Sequence, residues 1–169
     1  LQLALRTDRL RALIMGGYPP FDGPYKSILA VTRAAHSMSA QAPAQAASPV
    51  TEAEPGDWDS VPIQTNEAQT RQFVTLYEAL QDFDDFAAAV PRDLPRLAFA
   101  GADDRIDYGP AWGNVQVRIG EPLVTHSGAL AEAGWDVEIL PGLDHMSAMH
   151  GSVVLPLLTG WLQKVGWAK

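Results

Sequence analysis

Three short strand-like runs, two apolar and one alternating, each stopped by glycine or proline and separated by stretches of helical periodicity, constrain this chain most. The first, Arg9-Leu10-Arg11-Ala12-Leu13-Ile14-Met15, runs into Gly16-Gly17-Tyr18-Pro19-Pro20. The second, Leu97-Ala98-Phe99-Ala100, stops at Gly101, and the third, Trp135-Asp136-Val137-Glu138-Ile139-Leu140, alternates as a strand does and ends at Pro141-Gly142. Apolar runs this short, ended by such breakers, suit buried strands rather than helices. Strands that alternate with helical segments are joined by crossovers into a parallel sheet, so the expected class is α/β. Three strands make only a partial sheet, and the fold reads as part of something larger.

The intervening segments read as follows. Residues from Pro24 to about Ser39 are helical, with proline suited to the first turn. Segment 40–65 is dominated by Ala, Pro, Ser, Gln and Glu, and reads as a mobile insertion with Trp58 as its large anchor. Asn66 followed by Gln69 resembles a capping box, opening a helix with Phe73, Leu76, Tyr77, Leu80 and Phe83 as its apolar stripe. A shorter helix through Phe86 and Val90 is expected to end at Pro91. Leu123 to Ala133 reads as one helix closed by Gly134, and Ser152 is expected to cap a last helix bearing Val154, Leu158 and Trp161. Leu1 to Arg6 reads as the last turns of an amphipathic helix, so a segment upstream is expected. Divided this way, 1–23 and 93–169 form a core, and 24–92 forms a helical insertion.

Composition removes several functions. A formal net charge of −8 argues against nucleic acid, which needs clustered Lys and Arg. With no cysteine, disulfides, thiolate metal sites and a cysteine nucleophile are excluded. Apolar stretches such as Leu155 to Leu158 are too short to span a bilayer. A cytoplasmic location is the expectation.

Ligands of open parallel sheets bind at the carboxyl ends of the strands. There the three runs deliver Gly16-Gly17-Tyr18-Pro19-Pro20-Phe21-Asp22, Gly101-Ala102-Asp103-Asp104 and Pro141-Gly142-Leu143-Asp144-His145. An acid from one strand end and a histidine from the next is what nucleophilic hydrolysis requires, because the carboxylate holds the imidazole tautomer and stabilises the imidazolium. His150 lies five residues after His145, which does not match the i, i+4 spacing of a helical metal pair, and no third ligand is evident. His36 and His126 are expected on helix surfaces. Gly16-Gly17 lacks the spacing of a phosphate cradle, which disfavours a nucleotide-binding domain.

At these residues the sequence resembles the α/β-hydrolase family, particularly its bacterial members. Gly101-Ala102-Asp103-Asp104 is similar to the turn after the penultimate strand, and Pro141-Gly142-Leu143-Asp144-His145 to the turn after the last one. Arg9 to Pro20 resembles the strand that follows the nucleophile helix, with the cap inserted after it. The resemblance spans nearly the whole chain but only the C-terminal half or so of the family's fold. It implies Asp104 as triad acid, with Asp103 and Asp22 as alternatives and Asp107 behind them, and His145 as base. It implies no cofactor and a small uncharged ester or similar substrate. Tyr18, Phe21, Tyr25, Trp58 and Met146 are expected to line an apolar pocket.

The connection from Asp104 to His145 is longer than the family usually shows, and Trp112 and Gly113 suggest an ordered excursion there. The family places its nucleophilic Ser in a Gly-x-Ser-x-Gly elbow before the acid. No serine of this sequence has glycine two residues away on both sides. The nucleophile is therefore expected upstream of Leu1, with this segment inactive alone. An aspartate in that slot would instead make a dehalogenase or epoxide hydrolase. A non-catalytic truncated fragment or binding module is the rival reading, and a homodimer is a candidate assembly.

Overall fold

The computed structural model describes residues 1–41 and 66–167. Trp58 and nearly all of segment 40–65 lie outside the described residues. The protein is a mixed α/β chain. Its elements are β1 (Leu13–Gly16), α1 (Tyr25–Gln41), α2 (Glu67–Ala79), β2 (Arg96–Gly101), β3 (Arg105–Asp107), β4 (Gln116–Arg118), α3 (Gly120–Thr125), α4 (Ser127–Glu132), β5 (Asp136–Leu140), α5 (His145–Ala148) and α6 (Gly151–Lys164). A single 3-10 turn, Pro110–Trp112, lies between β3 and β4.

Two compact units divide the chain, one comprising Leu1–Gly23, Asp84–Arg105 and Arg118–Lys169, the other Pro24–Phe83 and Ile106–Val117. The first unit holds a parallel sheet of order β1-β2-β5, flanked by helices. β2 is central and buried at every residue, which is why it reads as an unbroken apolar run. The edge strands β1 and β5 are only partly buried. Leu97 and Phe99 of β2 form a core with Trp161 of α6, and Leu140, Met149, Leu157, Leu158 and Leu162 pack around it.

Asp136, at the start of β5, ties α6 to the sheet. Its carboxylate accepts from Trp161 Nε1 at 2.7 Å and Lys164 Nζ at 2.6 Å. Arg96, at the start of β2, is 3% exposed. Its guanidinium donates to the carbonyls of Val90 and Pro91 and lies 6.0 Å from the ring centre of Trp135. Arginine, planar and many-donored, can make both contacts at once.

In the second unit α1 packs against α2. Asn66 and Gln69 form a reciprocal capping box at the start of α2. The interface carries a polar cluster. Thr70, buried, lies 2.8 Å from both His36 Nδ1 and Ser39 Oγ. His36 is thus half-buried and hydrogen-bonded, not a free surface residue.

Several elements differ from their sequence expectation, each for a local reason. β1 begins at Leu13 instead of Arg9, since Pro95 lacks the N–H that would carry the ladder further back. Leu1 to Arg6 forms turns. No helix forms through Phe86 and Val90. There Asp84 Oδ1 accepts from Ala87 N, and Asp85 turns its carboxylate to Asp22 N and Gly23 N, so short acidic side chains redirect the backbone.

The helix expected from Leu123 to Ala133 is two helices, α3 and α4, broken at His126. Ser127 Oγ donates to the carbonyl of Val124 and competes with the helix at that point. The cap of α6 is His150, whose Nδ1 accepts from Ser152 N, so Ser152 lies two residues inside the helix it was expected to cap. Among the described residues no helix is long and apolar enough to cross a membrane.

Candidate functional site

The loops that follow β2 and β5 are joined through their backbones. Ala102 N donates to the carbonyl of Leu140 at 2.9 Å, and Asp103 N donates to that of Leu143 at 3.1 Å. The approach is so close that a Cβ on Gly101 would stand 2.0 Å from the Leu143 oxygen. Only glycine permits it.

Asp104 follows at once. Its carbonyl accepts from Ile119 N and Gly120 N, anchoring the turn to the start of α3. Its side chain is fully buried, and its two carboxylate oxygens each lie 3.1 Å from His145 Nδ1. A buried carboxylate demands such a partner.

His145 is the first residue of α5, and its side chain is 27% exposed. The Asp104 hydrogen bond raises its pKa above the usual 6.5; burial opposes this, while the charges of Asp104 and Asp144 add to it. With Nδ1 committed to Asp104, Nε2 is the ring atom available to exchange a proton. Gly17, after β1, closes on the imidazole from another direction. Its φ is +62°, and a Cβ there would meet His145 Cε1 at 3.1 Å and Met149 Sδ at 3.3 Å. All three strand ends therefore meet at one imidazole.

The other candidate residues lie elsewhere. Asp103 is exposed and lines a cavity of about 400 Å³ with Ala102, Asp104, Arg105, Arg118 and Glu121. Asp22, at φ +54°, has its carboxylate 3.8 Å from His126 Nε2, not on His145. Asp107 lies on β3, where its carboxylate accepts from Gln116 Nε2. Phe21 is buried and stacks on Phe86 at 4.8 Å, and Phe86 meets His126 edge-on at 5.0 Å. Tyr25, in the other unit, packs edge-on against Phe83. Tyr18 is half-buried, Met146 on α5 is 48% exposed, and Trp58 lies outside the described residues.

Sequence reasoning missed the roles of Asp144 and Ser147, which cap α5 reciprocally. The spacing Asp-x-x-Ser was there to be read as a cap. It also missed Asp85, for which no sequence signal exists, because its partners lie some sixty residues away. Among the described residues no group of three or more His, Cys, Asp and Glu could hold a metal ion. No family model, curated protein or solved structure matches this chain.

Proposed function

We propose that the chain is the C-terminal part of an α/β-hydrolase in which His145 is the general base and Asp104 orients it. One observation carries this reading: a fully buried carboxylate 3.1 Å from Nδ1 of a partly exposed histidine, at the carboxyl edge of a parallel sheet. In this reading Nε2 takes the proton of a serine hydroxyl as its oxygen adds to an ester carbonyl, then returns the proton to the departing alcohol. Asp104 holds the imidazole in the Nδ1–H tautomer and offsets the charge of the imidazolium. No cofactor is required, and the substrate is a small uncharged ester or a similar molecule. The helical insertion that begins at Pro24 then serves as the cap.

No serine of the 169 residues has the elbow spacing, so the nucleophile is supplied by a segment preceding Leu1. The coding sequence immediately upstream tests this. Gly-x-Ser-x-Gly there supports the ester hydrolase, and aspartate in the serine slot redirects it to dehalogenase or epoxide-hydrolase chemistry. Neither residue in that place refutes the enzyme and leaves a binding module. In a longer protein with the serine, His145→Ala abolishes fluorophosphonate labelling, and retained labelling overturns the base assignment.

A further inference from the structure

We propose that Asp144 and Ser147 are positioning residues for His145, their reciprocal cap holding the imidazole with Nδ1 on Asp104; this rests on the reading of His145 as base. The helix that carries His145 has four residues. A helix of one turn has almost no stability of its own, since nucleation fixes several residues for a single hydrogen bond. Its end contacts must therefore fix the direction of the histidine.

At the far end Ala148 is fully buried and Met149 packs against the Leu97–Phe99–Trp161 core. At the near end Asp144 is extended, with φ −88° and ψ −174°, and its carboxylate accepts from Ser147 N at 2.8 Å and from the Ser147 hydroxyl. Ser147 Oγ in turn accepts from Asp144 N at 2.9 Å. The two residues close a ring around the turn that bears His145. The hydrogen bonds from Ser147 hold the Asp144 carboxyl below its usual range, so the cap stays ionised where His145 titrates. The carboxylates acting on His145 are Asp104, from the loop after β2, and Asp144, from its own turn.

Nitrogen-resolved NMR of the His145 ring in this 169-residue chain tests the proposal, because the tautomer reports the Asp104 bond and not general stability. The wild-type ring is expected to be Nδ1–H when neutral. Asp144→Ala and Ser147→Ala lose that tautomer and titrate lower, toward Asp104→Asn, whereas Asp144→Asn, an equally good cap, keeps it. Retention of the Nδ1–H form in both Asp144→Ala and Ser147→Ala overturns the proposal even if both melt earlier. Should Asp144→Ala not fold, Ser147→Ala, which loses one hydroxyl, decides alone. If Asp104→Asn itself leaves the tautomer unchanged, the Asp104–His145 pair has failed, and with it the proposed function.

Discussion

His145 Nδ1 stands at the same distance, 3.1 Å, from both carboxylate oxygens of Asp104. One N–H directed between two oxygens fixes the ring plane as well as its position, and the acid is fully buried while the base is not. The protonated imidazole gains most from that arrangement, which is why His145 titrates above 6.5 despite its burial.

Removing the acid's charge makes the first prediction. A histidine whose pKa is raised on folding contributes stability that is complete below its unfolded value and is lost as pH rises through the folded one. The wild-type advantage over Asp104→Asn is therefore largest below pH 6.5, the ordinary histidine value, and shrinks as pH rises through the raised one. Urea unfolding at several pH values measures it, and NMR titration should find His145 titrating lower in Asp104→Asn. An unchanged titration would contradict the contact.

The two glycines beside the pair should respond unequally. At Gly17, with φ +62°, alanine meets a left-handed backbone that costs about 1–2 kcal/mol, and its methyl presses on the Cε1–Nδ1 side of the imidazole. Gly17→Ala is expected to fold, with a shifted His145 ring signal. At Gly101 the obstacle is the Leu143 carbonyl, 2.0 Å from the new methyl, and backbone cannot swing aside as a side chain can. Gly101→Ala should lose about 3 kcal/mol or more, the upper range for overpacking, and should part the two loops. Equal losses in denaturation would refute this ranking.

The parts legible in sequence were those with a local signature. Leu97 to Ala100 reads as a strand because a central parallel strand is apolar on both faces, and the capping box at Asn66 announces α2 before any contact is known. Asp104 and His145 could be singled out because each sits just beyond a breaker that ends a strand. β3 and β4, three residues each, are too short to carry a period, so the excursion after Asp104 showed itself only through Trp112 and Gly113. Choosing Asp104 over Asp103 geometrically needed the turn itself, which buries one carboxylate and exposes its neighbour. Phe86 and Val90 misled because their helix is undone by Asp85, whose partners are fixed by the fold alone.

Asp85 supplies a third prediction. Its carboxylate, in a residue 4% exposed, accepts from Asp22 N at 3.1 Å and Gly23 N at 2.8 Å. Replacing it with alanine strands both donors, at about 1–3 kcal/mol for each left unsatisfied. Asp85→Asn keeps one acceptor oxygen and should cost less than Asp85→Ala. Hydrogen exchange at Gly23 is the direct check: it should quicken in Asp85→Ala by more than the global loss of stability explains. Protection that falls only in step with the whole domain would mean that the loop after β1 is held by other contacts.

α6 offers a change in the opposite sense. Gly160 lies on its exposed side, a Cβ there meets nothing within 4 Å, and the helix continues to Lys164. Glycine inside a helix costs about 0.8–1.0 kcal/mol relative to alanine, mostly through the freedom it keeps when unfolded. Gly160→Ala should therefore stabilise the chain by nearly that amount, with no shift of the His145 resonances. Pro156, five residues inside the same helix, has no N–H to give the carbonyl four residues earlier, and Pro156→Ala should add to the gain. Thermal and urea unfolding of the single and double variants would measure both. If Gly160→Ala proved neutral, the later turns of α6 would have to be frayed in solution, and amide exchange from Trp161 onward would then be fast.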